Sequence, residues 1–211
     1  MIKRTSPGMR AGAAHVTVAG LGVYAGLLGM IHGICELMQG FNPPEGLVFY
    51  AVGPPCEPDA VWHGCLPAMT VIPCLFCTGL VAVLIGVLTV IWSLLLLRRK
   101  RGGLSLIILS VLMALTGGGF VAPFAGIMAG IAGMCHGKIS RPGGAVKWLA
   151  KLWPWPLIIV LAWLPAGWIL GYFFGGAMLA ASSALFIVCD ILLPVLALWT
   201  GLARDGMDRA A

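Results

Sequence analysis

The chain has 211 residues, of which 60% are hydrophobic and 9% are charged, and its formal net charge is +6. Soluble domains average about 45–50% apolar and about 25% charged residues, so this composition excludes a soluble globular protein and predicts an integral membrane protein. The positive charge does not indicate nucleic-acid binding, because the basic residues occur in short clusters between apolar segments and share no polar surface.

Six apolar segments predict six helices, at residues 13–38, 71–97, 104–116, 120–134, 154–174 and 177–202. The first, second, fifth and sixth reach the roughly 20 residues that a helix needs to cross a bilayer core of about 30 Å. We therefore predict an all-α, polytopic helical membrane bundle that forms a single transmembrane domain over residues 1–211. It has four full spans and one short hairpin.

The short hairpin consists of segments 104–116 and 120–134, which are joined by three consecutive glycines at 117–119. Arms of about 15 residues extend only about 22 Å, which is less than the bilayer core. Pro123 fits the first turn of the second arm, where its missing N–H costs nothing. Two arrangements stay open, a hairpin that crosses a locally thinned bilayer and a re-entrant hairpin buried among other helices.

The basic residues predict the orientation of the bundle. They form four clusters beside helix ends, at residues 3–10, 98–101, 138–151 and 204–209, whereas the loop 41–67 contains no Lys or Arg. Since Lys and Arg are retained in the cytoplasm during insertion, we expect both termini to be cytoplasmic and the loop to be external. The default location is a plasma membrane, in particular a bacterial inner membrane. Anionic headgroups are then the expected partner at the cytoplasmic face, contributing about 1 kcal/mol for each Lys or Arg.

Glycines at helical spacing predict close helix packing. Gly22, Gly26, Gly29 and Gly33 recur at intervals of four, three and four residues, which places them on one narrow face of the first helix. Such faces let helix backbones approach one another in lipid. Together with the pair Gly126 and Gly130, they pack either helices of this chain or a partner, which would be another membrane subunit or a second copy.

Ionisable residues inside the apolar segments are candidates for ion transfer. Asp190 falls near the middle of the last segment, where an ionised carboxylate costs several kcal/mol. Glu36 continues the glycine face and is expected to point into the bundle. If the first and last helices are neighbours, His32, Glu36, Ser183 and Asp190 form a polar track for a proton or cation. Alternatively, Asp190 is protonated or bonded to a neighbouring helix and only fixes the packing.

Two cysteine pairs suggest a redox site. Cys74 and Cys77 form a CxxC motif at the start of the second span, where a helix dipole favours a thiolate, and Cys56 and Cys65 lie in the external loop. This layout resembles that of membrane thiol oxidoreductases of the vitamin K epoxide reductase kind, which implies a quinone cofactor. The other interpretation is a structural disulfide between Cys56 and Cys65, with Cys74 and Cys77 as small apolar residues of the wall.

No other pattern indicates chemistry. His32 and Glu36, four residues apart, offer only two metal ligands even with His63 and Cys65 nearby, so we expect no metal site. Hydrolase, nucleotide-binding and metalloprotease motifs are absent. The sequence therefore predicts a membrane protein without an evident catalytic site, either an accessory subunit of a membrane complex or a minor transporter. The alternatives are the thiol oxidoreductase and proton or cation passage through Glu36 and Asp190.

Overall fold

The computed structural model describes residues 12–51, 66–97, 101–135 and 144–209. The described chain is mainly α-helical: α1 (Ala13–Met38), α2 (Leu75–Ile91), α3 (Gly102–Leu115), α4 (Val121–Cys135), α5 (Gly144–Leu152), α6 (Trp155–Ala180), α7 (Ser182–Leu185) and α8 (Leu193–Asp208). A π-helical segment, Trp92–Leu96, continues α2, and a second one, Phe186–Leu192, joins α7 to α8. Four stretches are long and apolar enough to cross a membrane, namely Ala13–Met38, Leu75–Leu96, Trp155–Ala180 and Ser182–Asp208.

Helix α1 is the centre of the bundle and packs against α2, α4 and α8. Its contact with α2 is antiparallel and very close. A Cβ on Gly26 would lie 2.7 Å from the Gly86 carbonyl oxygen, and a Cβ on Gly33 would lie 2.8 Å from the Gly79 carbonyl oxygen. Both distances are shorter than van der Waals contact, so only glycine allows the two backbones to approach in this way.

Helices α3 and α4 form the hairpin. It is turned by residues 117–119, called the glycine turn below, in which Gly117 has φ +89° and Gly119 has φ +73°. These left-handed conformations favour glycine because it has no Cβ. The arms pack closely, since a Cβ on Gly130 would lie 2.7 Å from the Gly103 carbonyl oxygen. With 14 and 15 residues, each arm is about 21–22 Å long.

The loop between α1 and α2 contains a small sheet that the sequence analysis did not predict. Strands β1 (Val48–Tyr50) and β2 (Pro67–Met69) pair antiparallel, with Phe49 opposite Ala68. A bridge between Thr70 and Thr116 and a hydrogen bond from the Gly117 N–H to the Met69 carbonyl (2.8 Å) attach β2 to the end of the hairpin. We call this end of the bundle the loop end.

The opposite end, called the basic end below, carries the basic residues that the structure describes: Arg101, Lys147, Lys151, Arg204 and Arg209. Helix α5 packs on α8 there, and the Trp153 indole donates to Thr17 Oγ1 in the first turns of α1 (3.1 Å). These five residues therefore lie at one end of the described part of the bundle. Their orientation in a membrane stays a prediction.

Helix α6 is the least buried of the four long apolar stretches. Within the apolar windows of the helices, 50% of α1 is buried but only 17% of α6. Helix α6 continues past the predicted end at residue 174 to Ala180, with non-helical dihedrals at Phe174 (φ −128°, ψ 33°). Gly175 and Gly176 directly follow this kink, and a second residue with non-helical dihedrals, Ala181 (φ −99°, ψ 6°), separates α6 from α7.

Candidate functional site

Glu36 lies in the last turn of α1, at the loop end, and its side chain has no exposed surface (0%). Neither carboxylate oxygen has a hydrogen-bond partner among the residues that the structure describes. Burying an ionised carboxylate without a partner costs several kcal/mol. The side chain therefore needs a proton or a cation to remain in this position.

Glycines of two other elements surround Glu36. A Cβ on Gly117 would overlap both of its carboxylate oxygens, and a Cβ on Gly79 of α2 would lie 3.0 Å from its Cβ. Gly117 also has a positive φ, so both the backbone and the available space require glycine there. The glycine turn is thus the cover of the Glu36 carboxylate as well as the turn of the hairpin.

His32 lies one helical turn before Glu36 on the same buried face of α1. The glycine turn covers its ring too, because a Cβ on Gly119 would lie 2.6 Å from His32 Nε2. Residues four apart on a helix are neighbours, so a histidine and a carboxylate share one covered site. An imidazole and a carboxylate are both groups that can carry a proton from one site to the next.

Buried threonines close the loop end around this site. Thr70 Oγ1 and Thr78 Oγ1 are 2.8 Å apart, and Thr70 also accepts a hydrogen bond from the Ile72 N–H (3.0 Å). Thr78 precedes Gly79, which contacts Glu36, and Thr70 is bridged to Thr116 at the edge of the glycine turn. These bonds join α2, the loop and the hairpin above the carboxylate.

Asp190 has a different environment near the middle of the last span. It belongs to the π-helical segment before α8 and is half-buried. The Tyr24 hydroxyl on α1 donates to Asp190 Oδ1 at 3.2 Å, and the Trp163 side chain on α6 also hydrogen-bonds the carboxylate. Tyr24 and Trp163 were not selected from the sequence. Both are aromatic residues with a polar group at the tip of the side chain and lie near the middle of an apolar span, and this pattern would have indicated them.

The four residues of the predicted polar track fall into separate places. His32 and Glu36 lie together under the glycine turn, Asp190 contacts Tyr24, and Ser183 is exposed on α7. Tyr24 and Glu36 are twelve residues apart on α1, which corresponds to about 18 Å along the helix axis. The structure therefore describes two carboxylate sites, one at the loop end and one at mid-span.

The CxxC motif forms the N-terminus of α2. Cys74 is the N-cap residue, and its Sγ accepts a hydrogen bond from the Cys77 backbone N–H at 3.3 Å. Hydrogen bonds from the Cys77 thiol and from the Cys77 N–H lower the pKa of the Cys74 thiol. Both cysteines are partly exposed thiols. Cys56 and Cys65 lie outside the described residues, so the predicted loop pair stays a prediction.

The glycines predicted to pack helices lie against other helices of this chain. Gly22 faces Ser93, Gly29 faces Met113 and Gly126 faces Ser110; Gly26, Gly33 and Gly130 face glycine carbonyls, as described above. Each of these close contacts is internal to the bundle. A packing role with a second chain stays a prediction.

In the described part of the chain, no group of three or more His, Cys, Asp or Glu side chains comes together. His63 and Cys65 lie outside it. Comparison of the chain with protein families, with curated proteins and with solved structures gives no match. Glu36, Asp190 and Cys74 are therefore the groups whose surroundings bear on function.

Proposed function

We propose that this membrane protein is a small transporter that moves protons or small cations, with Glu36 as the binding group at the loop end. The observation that supports this function is the complete burial of Glu36 with no hydrogen-bond partner for either oxygen among the described residues. A buried carboxylate in this state exchanges a proton or a cation instead of holding a fixed ion pair. The prediction of an accessory subunit stays a prediction.

His32 supports a pathway to Glu36. Its ring and the carboxylate lie on one face of α1 under the same three-residue turn. In this proposal Glu36 exchanges protons with the loop end and His32, one helical turn deeper, passes them on towards mid-span, while the glycine turn separates both groups from solvent. Asp190 is the second ion-binding group of the proposed path. Because Tyr24, which contacts Asp190, lies about 18 Å from Glu36 along the α1 axis, the protein has to open between the two sites for an ion to cross.

The orientation follows from the positive-inside rule. Arg101, Lys147, Lys151, Arg204 and Arg209 lie at the basic end, so we propose that this end is cytoplasmic and that the loop end faces outward. Trp148 is 64% exposed on α5, and it lies between two exposed lysines, Lys147 and Lys151. A tryptophan flanked by lysines suits a headgroup layer with anionic lipids. A bacterial inner membrane remains the proposed location.

The test is ion uptake by the purified protein in lipid vesicles. We expect an imposed pH gradient to dissipate faster with the protein than in empty vesicles, as reported by a pH-sensitive dye inside. Glu36→Gln should reduce the rate to that of empty vesicles, because the amide has no titratable proton and no negative charge to balance a buried cation. Glu45→Gln is the matched control, since Glu45 is an exposed carboxylate at the same end, and it should leave the rate unchanged.

A parallel measurement separates protons from cations. If the pH gradient stays stable but vesicles with a Na⁺ or K⁺ gradient lose it in a Glu36-dependent manner, the transported ion is a metal cation. If Glu36→Gln and the parent protein behave alike in every gradient, the proposed function is wrong. In the same vesicle assay, the transport rate of Asp190→Asn shows whether the ion path also includes the mid-span carboxylate.

A further inference from the structure

The first turn of α2 contains two thiols that the Glu36 site does not use. Cys74 precedes the helix and Cys77 completes its first turn, and both are partly exposed at the loop end. The spacing places the two side chains on the same edge of one turn. The two thiols are hydrogen-bonded to each other, so their sulfur atoms are already neighbours.

Hydrogen bonds to the backbone N–H groups at the N-terminus of α2 fix the position of Cys74. In the first turn of α2, the Leu75 N–H donates to the Asn42 carbonyl (2.9 Å). The Phe76 N–H donates to the Gly40 carbonyl (2.8 Å). The remaining donor of the turn, the Cys77 N–H, takes the Cys74 sulfur as its acceptor. Since a helix start leaves such N–H groups without internal partners, the sulfur replaces the usual oxygen cap.

The loop packs firmly on this turn. The rings of Phe41 and Phe76 are stacked with their centroids 4.5 Å apart. Because Phe76 lies between the two cysteines, this contact holds the turn against the loop that follows α1. The thiols therefore remain at the outer edge of the bundle and are not drawn into the core.

The hydrogen bonds assign different roles to the two sulfur atoms. Cys74 receives hydrogen bonds from the Cys77 thiol and N–H, which stabilise its thiolate. A thiolate held by such donors at a helix N-terminus is the nucleophile in thiol exchange. Cys77, the donor, is then the thiol that completes the exchange.

We propose that Cys74 and Cys77 form a thiol–disulfide exchange site that is open from the loop end and acts on the accessible disulfide of a small molecule or a peptide. The site is independent of Glu36 and uses no cysteine outside α2 and its cap. The thiol exchange takes no part in the proposed ion transfer, so an experiment can contradict one activity without contradicting the other.

The exchange consists of two balanced steps. The Cys74 thiolate attacks one sulfur of the substrate disulfide, which breaks the substrate S–S bond, forms a mixed disulfide and releases one thiolate. Cys77 loses its proton to solvent and attacks the Cys74 sulfur, which forms the Cys74–Cys77 disulfide and releases the second thiol. The two cysteines lose two electrons and the substrate disulfide gains them. A dithiol of lower potential reverses both steps.

The experiment uses the reduced full-length protein in detergent with oxidised glutathione as the probe, followed by thiol blocking and peptide mass spectrometry. We expect an internal Cys74–Cys77 disulfide, identified by the loss of two hydrogens from the peptide that contains both. Cys77→Ser should instead accumulate glutathione on Cys74, at least about tenfold faster than on the exposed Cys135 of the same molecule. Cys74→Ser should give neither product, and serine keeps an N-cap at that position.

The matched control is Cys135→Ser, which removes an exposed thiol of α4 and should leave the formation of the internal disulfide unchanged. The proposal is wrong if Cys74 and Cys77 both remain thiols while Cys135 is glutathionylated. It is also wrong if Cys74 in the Cys77→Ser variant reacts no faster than Cys135. A cystine-containing peptide in place of glutathione distinguishes the substrates: equal rates indicate a small-molecule site, and faster reaction indicates a peptide site.

Discussion

Glu36 and Asp190 are both carboxylates on apolar spans, but the protein surrounds them differently. Asp190 is half-buried and accepts hydrogen bonds from the side chains of Tyr24 and Trp163. Glu36 is completely buried and is enclosed by glycine backbone, with no hydrogen-bond donor to its oxygens among the described residues. The mid-span carboxylate has fixed hydrogen-bond partners, whereas neither oxygen of the loop-end carboxylate has one among the described residues.

This difference shows how the same side-chain chemistry is used for two purposes. Donors supplied by neighbouring helices stabilise a carboxylate and fix the packing of those helices. A cover without donors leaves the carboxylate to a proton or a cation, which is the property that a transport site needs. Variants at each carboxylate site test whether the two environments affect stability and reactivity differently.

The largest expected effect is that of Gly117→Ala. The new Cβ would overlap the Glu36 carboxylate, and a left-handed backbone costs a non-glycine residue about 1–2 kcal/mol. Overpacking adds about 1–3 kcal/mol, so the free energy of unfolding should fall by about 2–5 kcal/mol. Denaturation in mixed detergent micelles measures it.

Two control variants separate these contributions. Gly40→Ala has a positive φ (+72°) but nothing within 4 Å of the new Cβ, so it reports backbone strain alone. The double variant Gly117→Ala with Glu36→Ala removes the overlap and should recover most of the overpacking loss. If Gly117→Ala is no worse than Gly40→Ala, the glycine turn does not enclose Glu36.

Tyr24→Phe has the next largest expected effect. It removes the hydroxyl that donates to Asp190 at 3.2 Å and leaves a buried acceptor with one fewer donor, which should cost about 1–3 kcal/mol. Tyr172→Phe is the matched control, because the Tyr172 side chain is 84% exposed, and its melting temperature should equal that of the parent. A Tyr24→Phe variant as stable as the control would show that Asp190 does not depend on Tyr24.

Glu36→Gln should change stability by less than about 1 kcal/mol, because the amide has the same shape and no fixed hydrogen bond is lost. This small effect is the sharpest contrast with Tyr24→Phe. A loss of several kcal/mol on Glu36→Gln would mean that the carboxylate holds a strong partner, and the two sites would then be alike. Thermal unfolding of both variants in one detergent gives the comparison.

The smallest effect concerns thiol reactivity and leaves stability unchanged. Because its pKa is lowered by the hydrogen bonds from Cys77, Cys74 keeps a larger thiolate fraction than free cysteine as the pH falls below the ordinary thiol pKa of about 8.5. Its alkylation rate should therefore decline at a lower pH than that of free glutathione. Cys189, next to Asp190 and 8% exposed, should remain unlabelled at every pH, and its labelling would show that mid-span is open.

Several features of the fold were readable from local sequence. Hydropathy gave residues 13–38 for the first helix, and α1 spans Ala13–Met38. The three glycines between two short apolar segments indicated the hairpin, because glycine alone adopts the left-handed conformations that the turn requires. The pair Gly175 and Gly176 directly follows Phe174, where the dihedrals inside α6 are not helical. Strands of three residues and π-helical segments have too little sequence signal to predict.

By itself, the sequence determined apolar helices long enough to cross a membrane, the clusters of positive charge and the candidate carboxylates, because hydropathy, charge and glycine conformation are properties of neighbouring residues. Only the tertiary structure decided what faces each carboxylate. Tyr24 and Asp190 are 166 positions apart, and Glu36 meets Gly117 through the packing of α1 against the hairpin. Such contacts depend on which helix faces pack together, and periodicity identifies a face without identifying its neighbour.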